Sequence, residues 1–387
     1  LVSNFARGLY NFKKELIQEL IQPNSYLNNN YLSNNEVVVC VPHSEIDYKF
    51  EELGCNIINV YMERRGTNPL KDFILLKNYH SVIKKVKPDV VMTFTIKPNI
   101  YAGIAAQLTK TKYISNVTGL GSAIRSDSKL KNLISRLYKI GVKGANYINF
   151  ENQSDLDFFN DYIYSNNKSN LMAGSGVNLD RFKFQEYPSI EKNIKFLTIG
   201  RIMRDKGSFE LLEAAKIIRK NLPNVEFDLV GSYEEDDFKD IIEDYDRKGI
   251  INYLGVRNDV PDLIKDCHCV VHPSYHEGLS NVLLEAAASG RPVIASDVPG
   301  CRETYINNVT GLSISPKNIE SIVKAIEDFI EKDYESKKLM GIKARKYIED
   351  RFDRKDVVAK HIEQINNITL YLEELDNKIQ PTQKLVE

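Results

Sequence analysis

Short apolar runs of strand type alternate with helix-forming stretches along almost the whole chain, and the alternation starts afresh near its middle. The first series reads strand 36–41, strand 57–60, helix 70–86, strand 89–93, helix 99–108, strand 113–116, strand 147–150 and strand 170–173. The second reads strand 195–199, helix 208–220, strand 225–230, helix 236–247, strand 250–254, helix 259–265, strand 268–272, helix 281–289 and strand 293–295. Helices over 318–331, 335–350 and 355–373 follow. Parallel strands need long crossovers, so this order calls for a parallel sheet with helices on both faces. The expected fold is α/β, with two Rossmann-like, doubly wound domains. The chain loosens around Gly174-Ser175-Gly176. Domains are therefore expected at 1–175 and 176–355, followed over 356–387 by a helix that packs back across them and a loose tail.

In a doubly wound sheet, ligands sit beyond the carboxyl ends of the strands. Two loops at such ends carry chemistry. Val270-Val271-His272 ends at Pro273, and a polar loop then runs into a helix that Ser280 should cap and that Gly290 and Pro292 should stop. The free amides of that helix start, around Gly278, Leu279, Ser280 and Asn281, form a receptor for phosphate. Glu277 stands at its mouth. Glu285 lies about one turn inside, and helical side chains lean back toward the N-terminus, so both carboxylates can address one ligand. Two acids beside a phosphate receptor make sense if they accept hydrogen bonds from hydroxyls, as a sugar nucleotide would require. The second loop, Gly200-Arg201-Ile202-Met203-Arg204-Asp205-Lys206-Gly207, is basic and follows the first strand of the second series, where Arg201 and Lys206 can clamp a diphosphate. Neither GxxxxGK[ST] nor a correctly placed GxGxxG occurs.

Other features narrow the partners. Lys plus Arg number 52 against 53 Asp plus Glu, so no overall charge imbalance calls for nucleic acid. No run of 18 apolar residues and no signal-peptide pattern occurs, which predicts no membrane span and a cytoplasmic location. Cys40, Cys55, Cys267, Cys269 and Cys301 form no CxxC or Cys/His set and read as reduced core thiols. Asp155-x-Asp157 resembles a metal-binding pair but lies in an acidic, helix-like stretch, and no metal is expected. Residues 129–143 carry five basic residues and no acid beside a stripe of Leu130, Leu133, Ile134, Leu137 and Ile140. They form a basic amphipathic helix that is either an ordinary domain helix or a peripheral contact to anionic lipid at the inner face of the membrane. Leu9, Phe12, Leu16 and Leu20 mark a helix over 8–21 that Gly8 should open. The chain starts without Met at Leu1-Val2-Ser3, so the beginning of a first strand is expected to be missing. His272 reads as a core residue, whereas His276 beside Glu277, Lys97 and Thr118 are candidates for touching an acceptor.

Taken together, these loops resemble those of the retaining glycosyltransferases of family 4, which have the GT-B fold of two Rossmann-like domains facing a cleft. The resemblance spans roughly residues 1–365. Its E-x7-E signature is similar to Glu277 through Glu285, its GRxxxxKG donor loop to Gly200–Gly207, its nucleobase segment to Gly255-Val256-Arg257 with Asp259-Val260-Pro261, and its opening loop to Gly8 with the residues after it. Thr95–Tyr101 and Val117–Gly121 resemble members that build surface polysaccharide or lipid-linked oligosaccharide. Many members carry a His near the reacting sugar where this chain has Thr118. The resemblance implies transfer of a hexose or N-acetylhexosamine from a UDP-sugar to a hydroxyl of a glycan acceptor, linked to polyprenyl diphosphate, with no cofactor and no metal. It assigns catalysis to Glu277, Arg201 and Lys206, and donor binding to these with Gly8, Val256, Arg257, Gly278, Leu279, Ser280, Asn281 and Glu285. The alternatives are a GT-B sugar-nucleotide epimerase or a silent sugar-nucleotide-binding subunit.

Overall fold

The computed structural model describes residues 1–23, 25–27, 35–63, 66, 68–121, 124, 129–190 and 193–379. The chain divides into two compact units, Leu1–Ser175 with Lys355–Glu387, and Gly176–Arg354.

The first unit holds a seven-stranded parallel sheet. Its strands are β1 (Val2–Ser3), β2 (Val38–Val41), β3 (Asn56–Asn59), β4 (Val90–Phe94), β5 (Lys112–Val117), β6 (Tyr147–Phe150) and β7 (Ser169–Leu171). They lie in the order β3-β2-β1-β4-β5-β6-β7. β1 is only two residues long, yet it pairs with both β2 and β4 and lies inside the sheet, next to its central strand β4. The helix expected to open at Gly8 begins at Ala6, with Phe5 as its N-cap. Gly8 sits in its first turns, where a Cβ would come within 2.6 Å of the Phe5 ring. Helix Pro69–Val86 starts as its sequence dictates, with Asn68 Oδ1 accepting from the amides of Leu70 and Lys71 and Pro69 needing no partner.

The second unit holds a six-stranded parallel sheet of β8 (Ile194–Ile199), β9 (Val225–Val230), β10 (Asn252–Tyr253), β11 (Cys269–His272), β12 (Val293–Ser296) and β13 (Gly311–Ile314). The order is β10-β9-β8-β11-β12-β13. The strand order therefore reverses between β8 and β11, and the two candidate loops leave the carboxyl ends of these two neighbours. That is the point where an open α/β sheet splays its loops apart to receive a ligand.

The cores follow from the apolar runs. Phe196, Phe227, Leu211, Leu212, Val271, Ile294 and Phe329 belong to one cluster in the second unit. In the last helix, Arg354–Ile379, Val358, Ile362, Ile365 and Ile368 join Leu16, Ile17, Val39 and Phe94 in a core of the first unit. A reciprocal amide pair fixes it there, Gln364 and Asn149 each donating to the other at 2.9 Å.

Candidate active site

The helix expected over 281–289 spans Asn281–Ala288 and ends as its Gly and Pro imply. Gly290 adopts φ +76°, its amide donates to Ala287 O at 3.0 Å, and the Arg291 amide reaches back to Ala286 O at 2.9 Å, a Schellman close. Its start differs from expectation. Ser280 occupies the N-cap position, but its hydroxyl makes no capping bond and lies 3.1 Å from His272 Nε2. Among the described residues no side chain caps this helix start, but the Ser280 amide, expected to be free, already donates to Gly300 O at 2.7 Å. Asn281 contributes a buried Oδ1 with no hydrogen-bond partner among the described residues.

The loop before the helix folds back onto the basic loop after β8. Asp205 O accepts from the Tyr275 amide at 2.9 Å and from Ser274 Oγ at 3.3 Å, and Tyr275 OH donates to Glu210 Oε1 at 2.6 Å. Gly207, at φ +67°, lies so close that a Cβ would stand 2.2 Å from Pro273 O. Gly300, at φ +81°, makes the same kind of approach to Glu277 O, 2.4 Å from where its Cβ would be. Only glycine fits either place.

This packing brings together the residues that the sequence singled out. Lys206 Nζ donates to Glu277 Oε1, and His272 Nε2 lies 2.9 Å from the same oxygen. Burial alone would raise the Glu277 pKa, but the Lys206 ammonium and the His272 hydrogen bond hold it well below the usual carboxylate range. Among the described residues Glu285 has no such cation at contact distance. Burial pushes its carboxyl up to about 7, against a weaker pull from Arg354 and Arg181. The two carboxylates of the motif therefore differ in kind, one held ionised and the other poised near neutrality.

Arg201 stands at the carboxyl end of β8, half-exposed, with its guanidinium 3.4 Å from Glu234. Beside it Gly200, Gly231 and Gly255 follow three adjacent strands: the Gly231 amide donates to Gly255 O at 2.9 Å, and a Cβ on Gly231 would collide with Gly200 O. Val256 is exposed, and Arg257 Nε donates to Asp259 Oδ1 at 2.8 Å. His276 and Gly278 are partly buried in the loop that carries Glu277. His272 is the residue that sequence reasoning assigned to the core alone; it is buried and also touches Glu277.

A family model for glycosyl transferases of group 1 matches residues 180–347, and one described as glycosyl transferase 4-like matches 28–152. The chain is 30% identical, over 85% of its length and 88% of the other's, to N,N'-diacetylbacillosaminyl-diphospho-undecaprenol alpha-1,3-N-acetylgalactosaminyltransferase of Campylobacter jejuni. The chain belongs to the family-4-like glycosyltransferases. It is also 27% identical to an Escherichia coli UDP-Gal:alpha-D-GlcNAc-diphosphoundecaprenol alpha-1,3-galactosyltransferase, over 68% of this chain and 71% of that one. The structure of Anabaena Alr3699/HepE in complex with UDP matches with a TM-score of 0.74 at 17% identity, covering 95% of this chain and 98% of the other. The fold is thus GT-B, as the two parallel sheets require.

In the first unit of this glycosyltransferase the strand order reverses between β1 and β4. Gly8 follows β1, and Thr95, Ile96 and Lys97 follow β4. The Lys97 ammonium is held at 2.6 Å by Asp72, which also accepts from Tyr101 OH at 2.9 Å. Thr95, which the sequence marked only as the start of a resembling segment and not as a site residue, adopts φ +75° and buries an Oγ1 that has no hydrogen-bond partner among the described residues. For a β-branched residue that backbone is strained, and such strain gathers at functional sites. Thr118 follows β5 directly and is partly buried. Asp155 of the Asp155-x-Asp157 pair serves a helix start. Asn152 Oδ1 accepts from its amide at 2.8 Å, and Asn152 Nδ2 reaches its carboxylate at 3.2 Å. In the helix Lys129–Val142 the expected stripe is split, because Ile134 and Leu137 pack against the core beside buried Tyr138 and Val142 whereas Leu133 and Ile140 face solvent. Among the described residues no helix is long and apolar enough to cross a membrane, and no group of three His, Cys, Asp or Glu could hold a metal ion.

Proposed function

We propose that this glycosyltransferase moves an N-acetylhexosamine, or in second place a hexose, from a UDP-sugar to a hydroxyl of a polyprenyl-diphosphate-linked glycan, with retention at the anomeric carbon. The observation that carries the reading is the Lys206–Glu277 pair set beside an uncapped helix start, where a diphosphate and a sugar can be held side by side. The choice of sugar and acceptor leans on the two relatives named above, whose names specify N-acetylgalactosamine, galactose and undecaprenyl-diphosphate-linked acceptors.

In this reading the diphosphate lies on Lys206, Arg201 and the amides of Leu279 and Asn281, since the Ser280 amide already donates to Gly300 O at 2.7 Å. Arg201 leaves Glu234 to reach it. Glu285 accepts from the ribose hydroxyls, while Gly255, Val256 and Arg257 line the nucleobase. Glu277 accepts from the sugar's hydroxyls and favours the positive charge that develops at the anomeric carbon as its bond to phosphate breaks. The cations stabilise the leaving UDP, so no metal is needed. The acceptor hydroxyl attacks from the face that UDP leaves, and a phosphate oxygen takes its proton. Thr118, Lys97 and His276 remain the candidates for the acceptor side. The solvent face of helix Lys129–Val142, with Leu133, Arg136, Lys139 and Ile140 exposed, and Lys143 just beyond it, meets anionic lipid that carries the acceptor.

The test is a panel of UDP-sugars offered with a polyprenyl-diphosphate sugar, the product's anomeric configuration being read by NMR. An α-linked product from one donor supports the proposal. A β-linked product refutes retention, and conversion of the donor without acceptor identifies an epimerase.

A further inference from the structure

The carboxylate of Glu277 is held on one side only. Lys206 Nζ and His272 Nε2 both bond to Oε1, and among the described residues no hydrogen bond reaches Oε2. The two donors differ mechanically. Lys206 is a point charge on a flexible four-carbon stem, and an arriving diphosphate competes for it. His272 is a planar ring at the end of β11, buried to within 5% of its surface. Its Nε2 must carry the proton in order to donate to a carboxylate. The Ser280 hydroxyl lies beside the same nitrogen at 3.1 Å, in place of capping its own helix. Once the donor draws Lys206 toward phosphate, His272 is the donor that still fixes Oε1.

We propose that His272 is a positioning residue for glycosyl transfer: it anchors Oε1 of Glu277 and so leaves Oε2 directed to the sugar of the bound donor. This rests on the assignment of Glu277 to the donor sugar made above. The role is exerted through Glu277 alone, since UDP without its sugar makes no use of that carboxylate.

The experiment compares His272→Phe, His272→Gln, Glu277→Gln and the double variant His272→Phe/Glu277→Gln, measuring UDP affinity by calorimetry and kcat by acceptor-dependent UDP release. A lost hydrogen bond to a charged group corresponds to about a tenfold change or somewhat more. His272→Phe should therefore lower kcat about 10- to 30-fold with UDP affinity within about threefold of the parent. His272→Gln, whose amide can donate near the Nε2 position, should recover much of the loss. The double variant should turn over no more slowly than Glu277→Gln alone. Multiplicative losses in the double variant, or equal losses of UDP affinity and kcat in both His272 variants, would overturn the proposal. Should Glu277→Gln itself keep full turnover, the assignment of Glu277 falls first, which separates that failure from one of His272.

Discussion

Replacing Lys206 by alanine separates what the Lys206–Glu277 pair does for the fold from what it does for the reaction. The two side chains retain 20% and 15% of their exposure, so the pair is largely out of water. Removing one partner of a buried pair costs about 3–5 kcal/mol, because the other charge is left uncompensated. Here the residual exposure and the remaining His272 bond reduce this to about 2 kcal/mol. With Lys206 gone, burial is opposed only by His272, and the Glu277 carboxyl moves up from its depressed value. Adding Glu277→Gln to Lys206→Ala removes the stranded charge and should restore most of the lost stability. Turnover should behave in the opposite way. Loss of one preorganised cation facing the leaving group amounts to about 2.7–4 kcal/mol, or about 10²- to 10³-fold in kcat, and the second substitution cannot restore it. Urea unfolding and acceptor-dependent UDP release report the two quantities separately. A Lys206→Ala protein as stable as the parent, or a double variant less stable than the single one, would refute the electrostatic argument. Turnover within about threefold of the parent would refute the catalytic one.

Glu285 gives a pH test. Its carboxyl is raised from 4.5 to about 7 in the folded chain, so between these values the folded state keeps a proton that the unfolded state has released. Its contribution to stability is full below pH 4.5 and is lost as pH rises to about 7. Glu285→Gln should remove that part of the slope in unfolding experiments, and a slope unchanged by the substitution would exclude Glu285 as its source. Ribose hydroxyls donating to Glu285 favour the carboxylate, so UDP binding near pH 6 should release a proton, seen as a dependence of calorimetric heat on the buffer's ionisation enthalpy. Gly207→Ala places a Cβ against Pro273 O in left-handed backbone and should cost at least about 2 kcal/mol while abolishing UDP binding; a stable variant that binds UDP normally would deny the close approach of the two loops. Asn149→Ala strands Gln364 in the interior and should destabilise the first unit by about 1–3 kcal/mol with UDP affinity unchanged, both read from denaturation with and without UDP.

The parts of the fold legible in the sequence are those that repeat locally. β8, β9, β11 and β12 are apolar runs between turn residues, and the loops after β8 and β11 stand out because their glycines, cations and acids lie within a few positions of one another. What stayed hidden depends on residues far apart in the chain. β1 is two residues long, too short for any period, and its place inside the sheet is set by its partners Cys40, Thr93 and Phe94. β13 carries Gly311 and Ser313 and gives no strand signal. The apolar stripe of the last helix says that it packs somewhere, but not that the cover is Leu16 and Val39. His272 lies five residues before Glu277, and only the backward fold of the loop puts its ring on that carboxylate; the nearest sequence signal was its position at a strand's carboxyl end. Ser280 follows cap statistics in position while its hydroxyl turns to His272, a competition that local preference does not encode.

The central claim is that the two loops after β8 and β11 form the site of sugar transfer, with Glu277 at the reacting sugar. It is tested most directly by acceptor-dependent UDP release from a UDP-sugar, measured side by side for the parent and Glu277→Gln. The account predicts release that needs the acceptor and falls about 100-fold or more in the variant, with UDP still bound. Equal release by both proteins would contradict it.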